Sequence, residues 1–213
     1  MSNRLIRRLA RFVDRRLTGF RKRWDTWTLP DFANQPERLK MPRPRTVRHP
    51  HLITIGNDCQ LGRDATLIPV TEYRDGGGQS FTPRLLIGNR VWATVCLQIY
   101  CAQEVIIEDD VMIAANVFIY DHQHGTSRAD VPYRRQPLER IAPVHIGRGS
   151  WIGQNVVVMP GVTIGEFSVI GANSVVTKSI PPRSIAVGTP ARVIRTWDET
   201  EKRWEDALVK SSR

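Results

Sequence analysis

The chain has 213 residues and a formal net charge of +10, with 31 Lys and Arg against 21 Asp and Glu. This length suits one domain with appendages, and three scattered cysteines are too few for the disulfide framework of a small secreted domain. No apolar run approaches the roughly 20 residues that span a bilayer, and the N-terminus lacks the uninterrupted apolar stretch of a secretory signal, so we expect a cytoplasmic protein.

The positive charge is concentrated at the N-terminus, where residues 1–24 hold nine Lys or Arg and one Asp. Between Arg4 and Phe20, apolar residues recur at intervals of three and four with arginines between them. This pattern predicts a basic amphipathic helix within residues 1–27. Such a helix could lie on an anionic membrane surface, pack on the rest of the protein or on a neighbouring subunit, or bind nucleic acid. No nucleic-acid-binding module is visible in the remaining chain, so we expect no nucleic-acid partner.

A hexapeptide period governs residues 51–196, after a Pro-rich segment at residues 28–50 that we expect to be an extended connector without regular structure. Two interruptions, at residues 68–84 and 120–143, are expected to leave the repeat as loops. A two-residue slip between Cys101 and Val105 predicts a bulge. The aliphatic residues that return at every sixth position are Ile55, Leu61 and Leu67; Ile87, Ala93 and Ile99; Ile107, Ile113 and Ile119; and Ile146, Ile152, Val158, Ile164, Ile170 and Val176.

A period of six fits neither the 3.6 residues of a helical turn nor the alternation of a strand. It fits a parallel β-helix, in which each hexapeptide forms one short side of a three-sided coil with its aliphatic residue pointing inward. Small residues after the aliphatic ones, as in Ile146-Gly147 and Ile164-Gly165, suit the corners. We therefore predict an all-β solenoid of about five coils. The spacing of Trp197, Trp204 and Leu208 predicts a short helix within residues 197–213.

The hexapeptides from Val144 onward, followed by residues 175–182 and then residues 188–195, resemble the hexapeptide-repeat acyltransferases. The similarity is greatest to the branch of galactoside, maltose and bacterial polysaccharide O-acetyltransferases, and it covers about residues 51–196. The resemblance implies a left-handed β-helix, acetyl-CoA as co-substrate, no metal, and a homotrimer with active sites between subunits. The implied activity is acetyl transfer to a sugar hydroxyl in surface polysaccharide biosynthesis. An acceptor in a lipid-linked precursor, at the inner face of the membrane, would explain the basic N-terminal segment.

Acyl transfer to a hydroxyl needs a base that titrates near neutrality, and histidine suits this task. His122 and His124 lie beside Asp121 in the second interruption, and function concentrates on loops held by a rigid scaffold. The neighbouring carboxylate favours His122, whereas counting from the Asn116-Val117 pair, which is similar to a pair in the family, favours His124. Both remain candidates for the base. The histidines expected to be structural or solvent-exposed are His49, His51 and His145.

The resemblance also implies that coenzyme A lies along the C-terminal coils. Trp151 matches an aromatic residue that flanks the reaction centre in the family, although packing would also explain it. Arg192 and Arg195 match positions near the phosphates, which the planar guanidinium suits, although they could be ordinary solvated charges. The other implied contacts are Gln154, Ala172, Thr177 and Lys178.

Two other functions remain open. A γ-type carbonic anhydrase shares this solenoid, but it needs three histidine ligands for its metal, and no third histidine occupies a comparable point in another coil. A non-catalytic, membrane-associated scaffold would use the basic N-terminal segment and a stackable β-helix.

Overall fold

A computed structural model describes residues 29–207 of the chain. The amphipathic helix predicted within residues 1–27 lies outside this range, as does the end of the predicted C-terminal helix. Within the described range the chain is almost entirely β-structure, with single-turn 3-10 helices at Pro50–Leu52 and Tyr133–Arg135. No helix in residues 29–207 is long and apolar enough to cross a membrane.

Most of the strands belong to three sheets, which we name by the number of strands that each contains. The five-stranded sheet contains Ile53–Ile55 (β2), Arg84–Ile87 (β7), Glu104–Ile107 (β10), Val144–Ile146 (β15) and Thr163–Ile164 (β18). The eight-stranded sheet contains Gln60–Arg63 (β3), Trp92–Val95 (β8), Met112–Ile113 (β11), Trp151–Ile152 (β16), Val169–Ile170 (β19), Ser184–Gly188 (β21), Ala191–Asp198 (β22) and Arg203–Asp206 (β23). The six-stranded sheet contains Thr46–Val47 (β1), Thr66–Pro69 (β4), Gln98–Cys101 (β9), Phe118–Tyr120 (β12), Val157–Val158 (β17) and Val175–Val176 (β20).

The chain visits the five-, eight- and six-stranded sheets in turn, and it does so five times between β2 and β20. Strands from successive passes pair in parallel, so each pass lies on the one before it. This is the arrangement of a three-sided parallel β-helix. The predicted hexapeptide residues from all three sheets are buried in a single hydrophobic core, which confirms their inward direction.

Glycines at the corners allow neighbouring coils to approach closely. A Cβ at Gly153 would lie 2.6 Å from the carbonyl oxygen of Ile170, and a Cβ at Gly165 would lie 2.2 Å from the backbone nitrogen of Pro182. Both distances are far below van der Waals contact, and the obstructing atoms belong to backbone that is fixed by the next coil. Glycine at these two corners is therefore a requirement of stacking as well as of turning.

The two-residue slip is a longer coil, not the predicted bulge. Ile107 pairs with Ile87, twenty residues earlier, whereas Ile164 pairs with Ile146 at the regular distance of eighteen. The register is unbroken in β9 and β10, on both sides of the slip. The two additional residues form a corner at Ala102 and Gln103, between the six- and five-stranded sheets.

The ends of the described chain differ from the sequence predictions. Residues in the Pro-rich segment pack on the first coil: Leu39 and Met41 are buried in the core, and β1 pairs with β4. The C-terminal helix is wrong as far as Asp206, because β22 and β23 form an antiparallel hairpin in which Trp197 pairs with Trp204. Two residues seven apart can share a helix face or oppose each other across a hairpin, so their spacing did not distinguish the two.

Candidate active site

Two excursions leave the coil at the same corner, between the six-stranded and five-stranded sheets. The first excursion, residues 70–83, contains a hairpin of Glu72–Tyr73 (β5) and Gln79–Ser80 (β6). The second excursion, residues 121–143, contains a hairpin of Gln123–His124 (β13) and Leu138–Glu139 (β14). The coil between them turns this corner tightly at Ala102 and Gln103. The stack therefore places the two excursions on either side of one short corner.

Asp121 begins the second excursion, and its side chain is completely buried. The carboxylate accepts hydrogen bonds from three consecutive backbone N–H groups of the tight corner: Ala102 at 2.7 Å, Gln103 at 2.7 Å and Glu104 at 2.8 Å. A buried carboxylate needs such partners, because an unpaired buried charge is strongly unfavourable. The corner and the second excursion are thereby fixed to each other.

His122 forms a hydrogen-bonded pair with Asp121. Its Nδ1 lies 2.8 Å from Asp121 Oδ1, and 13% of its side-chain surface is exposed. All the other partners of the carboxylate are donors, so the pair is best described with an ionised carboxylate that accepts from Nδ1–H. In this tautomer the neutral ring retains a lone pair on Nε2 and can accept a proton there.

His124 has a different environment. It lies on β13, it is exposed, and its ring contacts the ring of Tyr73 edge-on, with 5.4 Å between the centroids. Tyr73 belongs to the first excursion. Among residues 29–207 no carboxylate pairs with His124, whereas Asp121 pairs with His122. His124 therefore forms part of the contact between the excursions.

Three hydrogen bonds, which we call the clasp, join the first excursion to the second. The sequence did not predict them. The Gln79 side-chain amide donates to the Leu138 carbonyl at 3.1 Å and accepts from the Leu138 N–H at 2.6 Å. The Tyr73 hydroxyl donates to the Arg134 carbonyl at 2.5 Å. These partners lie about sixty residues apart in the chain. A sequence period reveals stacked coils, but it carries no signal for contacts between the segments that interrupt it.

His145 has the surroundings of a structural side chain. Its Nε2 lies 2.7 Å from Glu108 Oε1, and the other oxygen of this carboxylate accepts from the Arg148 N–H. Glu108 takes the corner position where the sequence would favour glycine, and it links two coils there.

The two buried cysteines, Cys59 and Cys101, are poor nucleophiles. Burial, followed by the negative charge of Asp121, raises the pKa of the Cys101 thiol well above its usual range. Burial also raises the pKa of the Cys59 thiol. Since the thiolate is the reactive form, neither thiol is prepared to form an acyl intermediate.

The positions implied for coenzyme A are distributed over several parts of the C-terminal coils. Gln154 and Ala172 lie at the same corner of successive coils, and both are exposed. Thr177 and Lys178 follow β20 at the next corner, beyond the six-stranded sheet. Trp151 belongs to the eight-stranded sheet. All of these side chains are accessible, but one chain does not gather them into a single groove.

Trp151 and the two arginines share the eight-stranded sheet. Trp151 pairs with Val169, and the row then continues through Ile185 to Arg195. Three strand spacings separate the ends of this row, which is about 14 Å. Arg195 Nε also lies 3.1 Å from Asp206 Oδ1, so its guanidinium is shared with an exposed carboxylate. Arg192 is exposed and donates to its neighbouring carbonyl, that of Ala191.

An exposed apolar row crosses the eight-stranded sheet. Trp92, Met112 and Trp151 lie side by side on adjacent strands, with 54%, 40% and 46% of their surfaces exposed. The Asp121–His122 pair lies at the corner between the other two sheets. In a three-sided coil, that corner is opposite the eight-stranded sheet. Trp151 and His122 of one chain therefore face in different directions.

Comparisons with known proteins agree with this fold. Residues 143–178 match the family described as bacterial transferase hexapeptide (six repeats). The structure of galactoside acetyltransferase in complex with coenzyme A is similar, with 32% identity and a TM-score of 0.56, over 70% of this chain and 68% of that chain. The chain belongs to the hexapeptide-repeat acyltransferase family. The family resemblance seen in the sequence is thereby confirmed.

Two other family comparisons differ in what they cover. WbbJ of Escherichia coli K12, provisionally named a lipopolysaccharide biosynthesis O-acetyl transferase, is 42% identical over 112 residues, which are 49% of this chain and 57% of WbbJ. The chain thus spans little more than half of this relative. A mutant of AntD, an N-acyltransferase from Bacillus cereus, in complex with dTDP and coenzyme A, has a TM-score of 0.65 over 85% of this chain and 89% of its own. Its identity is 18%, so this likeness concerns the fold alone.

Proposed function

We propose that this hexapeptide-repeat protein transfers an acetyl group from acetyl-CoA to a hydroxyl group of a sugar, in the synthesis of a surface polysaccharide. The observation that carries the proposal is the Asp121–His122 pair, which holds a histidine in the tautomer of a general base. The sugar acceptor is supported by the names of WbbJ and galactoside acetyltransferase. The donor is supported by the coenzyme A in the latter structure.

His122 Nε2 takes the proton of the acceptor hydroxyl as the hydroxyl oxygen attacks the acetyl carbonyl. Asp121 holds the ring through Nδ1 and stabilises the imidazolium that forms. A backbone N–H near the next coil stabilises the oxyanion of the tetrahedral intermediate. When the carbon–sulfur bond breaks, the imidazolium returns the proton to the departing thiolate. The products are the acetyl ester and free coenzyme A.

His122 is the better candidate for the base, and His124 serves the contact with Tyr73. A base must be oriented as well as basic, and the carboxylate of Asp121 orients His122. The exposed ring of His124 has an aromatic partner in place of a carboxylate.

The active form is a homotrimer of left-handed β-helices, with the active site between neighbouring subunits. The opposite directions of Trp151 and His122 support this assembly, because a site that uses both side chains requires two chains. The exposed row of Trp92, Met112 and Trp151 also supports it, because adjacent exposed aromatic side chains are typical of interfaces and ligand sites. Coenzyme A contacts Gln154, Ala172, Thr177 and Lys178, and its phosphates lie near Arg192 and Arg195.

The protein works in the cytoplasm, at the inner face of the membrane. The basic segment of residues 1–24 supports this location, since clustered arginine and lysine bind anionic lipid. Deletion of residues 1–27 should abolish binding to vesicles that contain phosphatidylglycerol and leave acetyl transfer to a small sugar unchanged. Equal binding with and without the segment would refute the membrane contact.

The metalloenzyme alternative is tested by the metal content of the purified protein, because its ligands would come from two neighbouring subunits. Within residues 29–207, no three His, Cys, Asp or Glu side chains form a group that could hold a metal ion. A non-catalytic scaffold would not turn over acetyl-CoA. The experiment that tests the acetyltransferase therefore also tests the scaffold.

The experiment measures thiol release from acetyl-CoA in the presence of a panel of sugars. We expect His122→Ala to lose roughly 10²- to 10⁴-fold in rate, which is the usual contribution of a general base, and to bind coenzyme A as before. His124→Ala should keep most of the rate. The reverse pattern would assign the base to His124. If no sugar promotes turnover by the wild type, the acetyltransferase proposal is wrong and the scaffold is favoured.

A further inference from the structure

The Pro-rich segment covers the N-terminal end of the β-helix as one irregular coil, residues 33–48, which we call the terminal coil. On the five-stranded side, the Ala33 N–H donates to the Ile53 carbonyl at 3.0 Å. On the eight-stranded side, Lys40 forms a parallel bridge with Gln60, and on the six-stranded side β1 pairs with β4. Within residues 29–207 no further coil lies outside it, so its outer edge is the N-terminal end of the prism.

The terminal coil carries positive charges that have no carboxylate partner in the described part of the chain. The four cations, which we call the basic edge, are Lys40, Arg43, Arg45 and Arg48. All four are exposed, and residues 39–51 contain neither Asp nor Glu. In the next coil Asp58 is already paired with Arg38, and the exposed side chains of Arg63 and Asp64 offset each other in charge. The basic edge is therefore a surface of uniform sign.

Protection of the open end of the stack does not explain this uniform sign. Charged residues and prolines on an edge strand do discourage pairing with another chain, but charges of either sign serve this purpose. The hairpin at the C-terminal end of the described chain carries both signs, since Arg195 pairs with Asp206 and Arg203 with Glu205. Four unpaired cations and no anions along one edge indicate an anionic partner.

The basic N-terminal segment is attached at this same end. Residues 1–24 hold nine Lys or Arg, and only residues 25–28 separate them from Leu29. Four residues span at most about 14 Å, and Leu29 packs on the hydrophobic core just before the terminal coil. Residues 1–24 therefore join the folded body close to the basic edge. The apolar residues between their arginines suit a lipid surface better than a nucleic acid.

We propose that the basic edge docks on anionic lipid headgroups together with residues 1–24. This inference rests on the membrane location proposed above and adds a contact made by the folded body. Each Lys or Arg near an anionic surface raises the affinity by about fivefold, so four of them bind too weakly to hold the protein alone. Their effect is to orient it: one contact leaves the body free to turn, whereas a second fixes the N-terminal end of the prism against the bilayer.

This orientation sets the height of the active-site corner above the lipid. One row across the six-stranded sheet runs through Val47, Leu67, Ile99 and Ile119. It begins next to Arg48 of the basic edge, and the chain reaches His122 three residues after its other end. Three strand spacings separate the two ends of the row, which is about 14 Å. At this height a sugar that is attached to a membrane lipid reaches the corner, which deepens the proposed function by favouring a lipid-linked acceptor.

The test measures co-sedimentation of the full chain with phosphatidylcholine vesicles that contain or lack phosphatidylglycerol. Arg45→Gln/Arg48→Gln removes two charges of the basic edge. Arg135→Gln/Arg140→Gln, which removes two exposed arginines of the second excursion, is its matched control. At about fivefold for each charge, we expect the first variant to bind phosphatidylglycerol vesicles about 25-fold more weakly than wild type and the control to bind like wild type. Arg45→Lys/Arg48→Lys keeps both charges and should also bind like wild type. Vesicles without phosphatidylglycerol should show no difference, and high salt should reduce it.

Four results would overturn the inference. If wild type binds the anionic vesicles and Arg45→Gln/Arg48→Gln binds like the control, residues 1–24 make the whole contact. If that variant aggregates while its lipid binding is unchanged, the charges only protect the edge. If duplex DNA displaces wild type from the vesicles, the partner is a nucleic acid. If wild type does not bind the anionic vesicles, the membrane location and the docking fail together. Acetyl transfer to a soluble sugar is measured separately, and it should be equal for wild type and Arg45→Gln/Arg48→Gln in every case, so a failure of docking is distinguished from a failure of the enzyme.

Discussion

Replacing Asp121 by Asn tests whether this carboxylate is the centre of the site. The change keeps the size of the side chain and replaces one acceptor oxygen by an NH₂ group, which only donates. In the native protein Oδ1 accepts from Ala102 and His122, and Oδ2 accepts from Gln103 and Glu104. With its NH₂ group at the Oδ2 position, the amide leaves the N–H groups of Gln103 and Glu104 facing a donor. Turned the other way, it leaves Ala102 facing a donor and makes His122 change tautomer, so two of the four native hydrogen bonds are lost in either case.

The expected loss follows from these contacts. A hydrogen bond to a charged group contributes about 1.5–3 kcal/mol, so losing two reduces the free energy of unfolding by about 3–6 kcal/mol. This is a large part of the roughly 5–15 kcal/mol by which domains are stable. For a chain of this length, it corresponds to a fall in melting temperature of about 6–24 °C. The rate of acetyl transfer should fall as well, because the tautomer and orientation of His122 are no longer fixed.

Thermal and urea unfolding followed by circular dichroism measure the effect, with protein concentration held constant because assembly would shift the midpoint. Asp130→Asn is the matched control. Asp130 lies in the same excursion, but its carboxylate is 68% exposed and pairs with Arg128 at the surface, so the variant should unfold like wild type. A midpoint for Asp121→Asn equal to that of the control would refute the argument that this carboxylate links the excursion to the corner.

Four further predictions concern the clasp, the core and the cysteines. Gln79→Ala should lose about 1–3 kcal/mol of stability with its two hydrogen bonds to Leu138, and limited proteolysis should then cut the second excursion faster; unchanged cleavage would contradict the clasp. Ile152→Ala empties a completely buried position and should lower the free energy of unfolding by about 2–5 kcal/mol in urea titration, whereas a smaller loss would mean that the coil collapses around the gap. At pH 8 a disulfide reagent should modify Cys96, which is partly exposed, long before the other two cysteines. Burial raises the pKa of those two thiols in the folded state, so they keep their protons there while the same thiols ionise in the unfolded chain. Their contribution to the free energy of unfolding is therefore constant below the ordinary thiol pKa of about 8.5 and falls as pH rises above it.

The sequence predicted the coil because its physical requirement is local and repeated. Each inward position needs an aliphatic residue, and each close corner needs a small one, so Ile146-Gly147 and Ile164-Gly165 were informative without any knowledge of distant contacts. The same kind of reasoning failed at Trp197 and Trp204. Their distance fits a helix face, but the Asp198 side chain accepts from the N–H groups of Thr200 and Glu201 and turns the chain back as a hairpin.

The site was only partly predictable. The sequence brought Asp121, His122 and His124 into one loop, but it could not decide between the histidines. The choice depends on which histidine ring the carboxylate contacts. The orientation of the Asp121 side chain in turn depends on hydrogen bonds from a corner some eighteen residues earlier. The contribution of the first excursion was not predictable either. Gly76-Gly77-Gly78 indicated a flexible loop, whereas Tyr73 and Gln79 on either side of it clasp the second excursion.

The interruption of the repeat at Asp121 explains why a buried carboxylate lies beside His122. In regular coils the N–H groups of one coil donate to carbonyls of the next, as Trp92 does to Val111. Above Ala102 and Gln103 the next coil is missing, because the chain leaves the stack at Asp121 to form the second excursion. The corner N–H groups would then be buried without acceptors, which is unfavourable. The Asp121 carboxylate replaces the missing carbonyls, and its remaining accepting site takes the Nδ1–H of His122. The interruption of the repeat thus creates the need for a buried carboxylate, and the carboxylate that meets this need orients the histidine beside it.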